Sequence, residues 1–136
     1  MGRAALAWLA LLSLPLGCAA EGASPAGPRG EARVYSLRAC PEGSTLDWET
    51  FGEPFVRNWC TGCHGSGLEG LMARGGAPEG VNFDEQTGVL NRLELIYNRA
   101  ADDNDSMPPG GGPSPDERLL LGEWIACERD RAAAPE

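Results

Sequence analysis

Apolar residues recur at helical spacing in three stretches of the chain. The first stretch carries an aromatic stripe at intervals of three and four residues, formed by Trp48, Phe51, Phe55 and Trp59. This spacing places the four rings on one face of a helix within residues 47–62. Thr50 and Glu53 have the spacing of a capping box and Pro54 suits a first turn, so we expect the helix to begin near residues 50–54.

A second helix is predicted over residues 85–101. Its apolar positions repeat at intervals of four and three residues, at Val89, Leu93, Ile96 and Ala100, and Asp84 stands where a helix cap is expected. Residues 65–83, which precede it, are rich in glycine and predict a loop. The acidic run at residues 102–105 is expected to be a solvated loop, and a cation site there is the weaker alternative.

A third helix is predicted over residues 115–128. Ser114, Pro115 and Glu117 form the strongest helix start in the chain, because serine can cap, proline favours the first position and glutamate completes a capping box. An apolar face follows, which includes Leu120, Trp124 and Cys127. No stretch of the sequence has the pattern of a strand pair, so the predicted fold class is all-α.

The candidate chemistry lies in residues 60–64, which read Cys-Thr-Gly-Cys-His. Two thiols three residues apart, followed at once by a histidine, are the pattern of covalent haem attachment through Cys60 and Cys63, with His64 as an iron ligand. A zinc site and a thioredoxin-like dithiol are the alternatives. Zinc needs more ligands, but His64 is the only histidine and the other cysteines stand alone, at Cys18, Cys40 and Cys127. A thioredoxin-like dithiol needs a βαβ pattern, which the sequence lacks.

A second axial ligand within this chain has to be a methionine, because the sequence contains no second histidine. The three methionines are Met1, Met72 and Met107. Met107 precedes two prolines that stiffen the backbone, whereas Met72 lies among glycines and is expected to be a loop or packing residue. Methionine with histidine is the ligand pair of cytochromes c, so Met107 is the predicted second ligand.

Together these motifs resemble a small class I monohaem cytochrome c. The resemblance is carried by the CxxCH of residues 60–64, by the Met-Pro-Pro of residues 107–109 and by a Leu-x-x-Trp-Ile in the last helix. Residues 45–55 are similar to those of a bacterial exported subgroup, and the resemblance covers residues 40–128. The chain departs from the eukaryotic carriers in having no lysine, so their lysine-rich docking edge and their partners are not implied.

The resemblance implies a cytochrome c-like fold, in which about three main helices and their loops surround one covalently bound haem c. It also implies that the last helix crosses the first, with Gly122 on one side and Gly52 or Phe55 on the other. Candidates for contact with the haem propionates are the arginines Arg74, Arg92 and Arg99.

The N-terminus predicts export. Arg3 is followed by an uncharged apolar run, residues 4–16, which is too short to span a membrane, and residues 1–17 are interpreted as a signal peptide. The small residue before Cys18 resembles a lipoprotein box, so we expect Cys18 to be lipidated, with ordinary cleavage after Ala20 as the alternative. Residues 18–39 are then a flexible tether that ends in an extended arm at residues 34–37.

The five cysteines divide into one lipidated residue, two haem-linked residues and one remaining pair. We expect Cys40 and Cys127, which flank the haem domain, to form a disulfide, with two buried thiols as the alternative. The predicted domain thus occupies residues 40–128, and residues 129–136 form a C-terminal tail. The protein is expected in the periplasm or cell envelope, attached to a membrane only through the lipid on Cys18.

Charge restricts the partners. The formal net charge is -9, and all eleven basic residues are arginines. Such an acidic chain repels nucleic acid and associates faster with a redox protein that has a basic docking surface. We expect a monomer.

The expected function is single-electron transfer and not catalysis, because both axial positions of the iron are filled, by His64 and Met107. One alternative is a gas sensor or peroxide-reactive haem protein in which Met107 is labile. Another is a subunit in which haem serves folding.

Overall fold

The computed structural model describes residues 34–134, so the predicted signal peptide and Cys18 lie outside the described residues. This part of the chain is all-α, as predicted, and residues 34–134 contain no β-strand. Its α-helices are α1 (Glu53–Trp59), α2 (Thr61–His64), α3 (Gly70–Ala73), α4 (Gln86–Leu90), α5 (Leu93–Ala100) and α6 (Pro115–Ala133). None of the described helices is both long enough and apolar enough to cross a membrane.

The first helical segment begins earlier than predicted. A π-helical turn at Trp48–Gly52 leads into α1, and Asp47 caps it. Thr50 N donates to the Asp47 carboxylate at 2.7 Å, and Asp47 N donates to Thr50 Oγ1 at 3.2 Å. The capping box is therefore Asp47 with Thr50, and the predicted pair of Thr50 with Glu53 is wrong. Trp48 and Phe51 both lie in this turn and pack on the core.

The helix predicted over residues 85–101 is two helices. The first, α4, ends before Asn91, and α5 starts after Arg92. Asp84 does not cap α4, which begins after Glu85 without a side-chain cap. The Asp84 carboxylate instead accepts hydrogen bonds from Ser66, at 2.5 Å from Oγ and 3.0 Å from N. These bonds hold the pKa of Asp84 below its usual range, and they join the two ends of the glycine-rich loop.

The last helix, α6, begins as predicted. Glu117 N donates to Ser114 Oγ at 3.2 Å, and Ser114 N donates to the Glu117 carboxylate at 2.8 Å. The helix continues to Ala133, beyond the predicted end at residue 128. Residues 129–133 are therefore helical, and the predicted C-terminal tail is wrong for that segment.

The extra turn of α6 holds the N-terminal arm. Arg129 donates to the carbonyl oxygens of Tyr35 at 2.5 Å and Arg38 at 2.7 Å. The arm forms a 3-10 turn at Tyr35–Leu37 and is not extended as predicted. Just beyond it, Cys40 and Cys127 are joined by the predicted disulfide, with their Cα atoms 4.6 Å apart. The arm thus packs as part of the domain, which begins before residue 40.

The core lies where α1, α5 and α6 meet. Its buried side chains include Phe55, Val56, Leu93, Ile96, Tyr97, Leu121, Trp124 and Ile125. Gly52 contacts the last helix, as the resemblance implies, and the contact is with the Trp124 indole: a Cβ on Gly52 would lie 2.5 Å from Trp124 Cζ2. The three atoms nearest to a Cβ added at Gly122 all belong to Asp102, so Gly122 lies against that carboxylate.

The acidic run at residues 102–105 is not a uniformly solvated loop. Asp102 is 4% exposed and adopts a left-handed backbone conformation with φ of 51°. Tyr97 Oη donates to its carboxylate at 2.6 Å, and Arg38 Nε lies 3.7 Å away. Gly122 makes room for this carboxylate, because a Cβ there would lie 2.6 Å from Oδ1. The prediction of a solvated loop is therefore wrong at Asp102. The hydrogen bond from Tyr97 and the nearby Arg38 offset the cost of burying this carboxylate.

Candidate functional site

One cavity of about 350 Å³ collects the predicted site residues. Cys60, Cys63, His64 and Met107 all line it, although Met107 is far from the others in the sequence. The remaining lining is largely apolar and includes Phe55, Trp59, Val81, Phe83, Leu95, Ile96, Ala100, Pro108, Pro109 and Pro113. A concave apolar site with a few convergent polar groups is the usual form of a cofactor site.

The two thiols reach this cavity from the junction of α1 and α2. Cys60 is the residue between the helices: its N donates to Val56 O at 2.8 Å, and its O accepts from His64 N at 2.9 Å. This helical turn brings Cys60, Cys63 and His64 to one side of the chain. Both thiols are free and half-buried. Burial raises the pKa of Cys60 to about 12, so this thiol is protonated at neutral pH.

His64 is held in one orientation by three contacts. Its Nδ1 lies 2.9 Å from the carbonyl oxygen of Val81, its O accepts from Phe83 N at 2.7 Å, and its ring packs 4.7 Å from the Phe83 ring. A carbonyl oxygen can only accept, so Nδ1 carries the proton. The lone pair of the neutral imidazole is therefore on Nε2, the nitrogen left to bind a metal.

Met107 is positioned from the end of α5. Met107 N donates to Arg99 O at 2.9 Å, and Ser106 Oγ donates to the same oxygen at 3.1 Å. The Met107 side chain is 40% exposed and lines the cavity. Met72, in contrast, is 93% exposed and is not among the lining residues. Of the two methionines in the described chain, the structure therefore brings only Met107 to the candidate site.

Arg74 has a role that the sequence did not predict. It is 2% exposed, and its guanidinium donates to backbone carbonyl oxygens and one side-chain amide of the glycine-rich loop, at Gly65, Leu68, Ala77, Pro78, Val81 and Asn82. These bonds occupy the whole guanidinium fork, so Arg74 is unsuited to bind a propionate. An arginine within a glycine-rich loop, whose backbone carbonyls need donors, is the only signal in the sequence that points to this role.

The other two arginines differ from each other. Arg92 donates to the carbonyl oxygens of Gly88 at 3.2 Å and Gly80 at 3.0 Å, so it too supports the loop. Arg99 lines the cavity and lies at its exposed edge. Of the three candidate propionate contacts, Arg99 is the one whose position suits a carboxylate at the cavity mouth.

The donors in this region do not form a zinc site. Within residues 34–134, no group of three or more histidine, cysteine or acidic residues is arranged to hold a metal ion. Cys60, Cys63 and His64 therefore do not converge on one point, as the ligands of a tetrahedral ion must.

The environment of Cys60 is unsuited to an attacking thiol. A nucleophilic cysteine has a lowered pKa, because the thiolate is the reactive form. The pKa of Cys60 is instead raised by burial, so Cys60 would be a poor nucleophile in thiol–disulfide exchange.

No protein-family model, curated protein or solved structure matches the chain.

Proposed function

We propose that this protein is a monohaem c-type cytochrome that transfers single electrons in the bacterial cell envelope. One observation carries the proposal: the two thiols of the CxxCH segment, a histidine with Nε2 free and Met107 line the same apolar cavity. The all-α arrangement, in which α1, α2 and α5 line this cavity and α6 packs on α5, is compatible with a cytochrome c fold. When bound, a haem supplies an iron that alternates between the Fe(III) and Fe(II) states.

The residues fit this group in three ways. Cys60 and Cys63 are free thiols at the cavity wall and would hold the ring through thioether bonds. His64 already has the tautomer of an axial ligand, because its Nδ1 proton is used by Val81 O. Met107 offers a thioether, the usual second ligand of a high-potential cytochrome c. Arg99 would meet a propionate at the cavity edge.

The chain's own groups also explain why electron transfer suits this site better than catalysis. The lining is largely apolar, and the lining residues include no aspartate or glutamate that could move a proton. Proton transfer by a positioned side chain is what peroxide chemistry needs. An apolar wall excludes water and requires little rearrangement when the charge at the site changes by one unit.

The exposure of Met107 is the observation that favours a second candidate. Met107 is 40% exposed, and a thioether ligand with that exposure would be displaced from an iron more easily than a buried one. In that case the protein would bind a diatomic gas or peroxide at the open position. The two functions differ in whether Met107 remains bound in the reduced protein.

The test is an absorption spectrum of the exported, haem-loaded protein, oxidised and reduced, beside Met107→Ala and Met72→Ala variants. We expect six-coordinate reduced bands, and a weak sulfur-to-iron band in the oxidised protein that disappears in Met107→Ala. Met72→Ala is the matched control and should leave the spectrum unchanged, because Met72 does not line the cavity.

The alternatives predict other spectra. A five-coordinate spectrum that Met107→Ala does not change, or rapid binding of carbon monoxide by the reduced protein at neutral pH, would favour the gas-binding function. Protein that carries no haem after export with the attachment machinery would overturn the proposal.

The proposal also covers where the protein is located in the cell and which kind of partner it meets. Lipidation of Cys18, which lies outside the described residues, would anchor the protein to a membrane, and mass spectrometry of the mature protein tests it. The net charge of -9 favours a redox partner with a basic surface, and the rate of electron exchange with such a partner should fall as salt is raised.

A further inference from the structure

The carbonyl oxygen of Val81 accepts two hydrogen bonds. His64 Nδ1 donates to it at 2.9 Å, and Arg74 Nη2 donates to it at 3.0 Å. A carbonyl oxygen has two lone pairs, so both donors can be satisfied at once. The candidate iron ligand and a buried guanidinium are therefore connected through a single oxygen atom.

Within residues 34–134, no carboxylate forms an ion pair with Arg74. Its described hydrogen bonds all go to neutral groups, five backbone carbonyl oxygens and the amide oxygen of Asn82. The pKa of the nearby Asp84 is lowered first by its hydrogen bonds with Ser66, and Arg74 contributes only a minor Coulombic effect. A buried cation solvated by carbonyl dipoles keeps its field, because water is not there to screen it.

We propose that Arg74 is a positioning residue for His64 that also raises the reduction potential of the site, an inference that rests on the proposed haem function. It holds Val81 O in the place where His64 Nδ1 donates, which fixes the imidazole. By drawing electron density from Val81 O, it weakens the acceptor and makes His64 a weaker electron donor to a metal. Its positive charge opposes the additional positive charge of the oxidised state.

The two contributions act in the same direction, because each favours the reduced state. A structural role alone would make Arg74 matter for folding but not for the potential. The inference therefore predicts that the potential falls when the charge is removed or neutralised, even where the fold and the axial ligands are intact.

Two variants test this, with a matched control. Arg74→Gln removes the charge. Asn82→Asp keeps every donor of Arg74 and places a carboxylate where the Asn82 amide oxygen accepts from Nη2 at 3.0 Å, so it neutralises the charge and retains the loop. Arg92→Gln is the control, since Arg92 also supports the loop through Gly80 and Gly88 but does not contact Val81.

The readouts are the midpoint potential of the haem-loaded protein and the proton chemical shift of His64 Nδ1–H in the reduced state. We expect Arg74→Gln and Asn82→Asp each to shift the electron-exchange equilibrium towards oxidation by about tenfold, which is about 59 mV for one electron. The Nδ1–H shift should change with Arg74→Gln, and Arg92→Gln should change neither readout. If Arg74→Gln fails to fold, Asn82→Asp alone decides.

A failure of the inferred role of Arg74 can be distinguished from a failure of the proposed function. Haem-loaded variants with normal axial ligation and an unchanged potential would overturn the role of Arg74 and leave the proposed function standing. An equal fall of the potential in Arg92→Gln would also overturn it, because the effect would not pass through Val81. Wild-type protein without haem would overturn the proposed function, and the inference with it.

Discussion

The substitution Gly122→Ala tests the packing of α6 on the buried carboxylate of Asp102. A Cβ at residue 122 would lie 2.6 Å from Oδ1, 2.8 Å from Cγ and 2.9 Å from Oδ2 of Asp102. The carboxylate cannot move freely, because Tyr97 Oη donates to it at 2.6 Å and Arg38 Nε lies 3.7 Å away. The new methyl group must therefore displace either the carboxylate or the helix.

The magnitude follows from two opposing effects. Overpacking a tight interior site costs about 1–3 kcal/mol. Alanine in place of glycine inside a helix returns about 0.5–1 kcal/mol. We expect the free energy of unfolding to fall by about 1–2 kcal/mol, which lowers the Tm of a domain of this size by about 4–8 °C per kcal/mol.

The assay is urea unfolding of the purified protein. Gly67→Ala serves as the control, because Gly67 is exposed, its φ lies outside the left-handed region, and a Cβ added there would meet nothing within 4 Å. It should be neutral or slightly stabilising. A double-mutant cycle with Asp102→Gly completes the design, since Gly122→Ala should cost nothing once the carboxylate is gone.

Two outcomes would refute the reasoning. Gly122→Ala could be neutral or stabilising, which would mean that α6 and the carboxylate are not in tight contact. Alternatively, the effects of Gly122→Ala and Asp102→Gly could be additive, which would mean that the cost of the methyl group arises somewhere else.

Three further predictions concern the disulfide and the start of α6. Replacing Cys40 and Cys127 by serine opens a loop with a sequence separation of 87 residues, and the chain-entropy relation gives a loss of about 4.6 kcal/mol in unfolding free energy, measurable by urea unfolding. Ser114→Ala removes the N-cap of α6 and should cost about 1 kcal/mol in the same measurement. The pKa of Glu117 is held below its ordinary value of 4.5 by its hydrogen bonds with the backbone and side chain of Ser114. Because the folded pKa is the lower one, this stabilisation is present above pH 4.5 and is lost as the pH falls through the folded value. Unfolding measured against pH should show this acid loss, and Glu117→Gln should reduce it.

Each of these has a result that would contradict it. Equal stability of the double serine variant and the wild type under oxidising conditions would mean that the disulfide does not constrain the unfolded chain. No loss in Ser114→Ala would mean that water or another group caps α6 as well. An acid profile unchanged by Glu117→Gln would assign the acid loss to other carboxylates, of which Asp47 and Asp84 also have lowered pKa values.

The features predicted well from sequence are those whose partners are close in the chain. The Ser114–Glu117 box spans a single helical turn, so its two hydrogen bonds depend only on local backbone geometry. Asp84 shows the limit of this reasoning. It stands at a good capping position, but its carboxylate accepts two hydrogen bonds from Ser66, which lies far from it in the sequence. The carboxylate therefore does not cap the helix.

Pairing by elimination also succeeded where the number of choices was small. Once Cys60 and Cys63 are assigned to the CxxCH segment, the sequence leaves few partners for Cys40, and the disulfide with Cys127 is in place. No such elimination exists for the carboxylates or arginines, which are numerous and have many alternative partners.

By itself, the sequence determined the all-α class, the CxxCH segment, the placement of Met107 rather than Met72 at the candidate cavity and the start of α6. Each depends on spacing along a few turns of chain or on a short inventory of residues. Only the tertiary structure decided that Asp102 is buried, that α6 extends to hold the arm through Arg129, and that Arg74 shares Val81 O with His64. These arrangements join residues from different segments. Their energies depend on burial and on which polar groups meet inside the fold, and neither is encoded in local spacing.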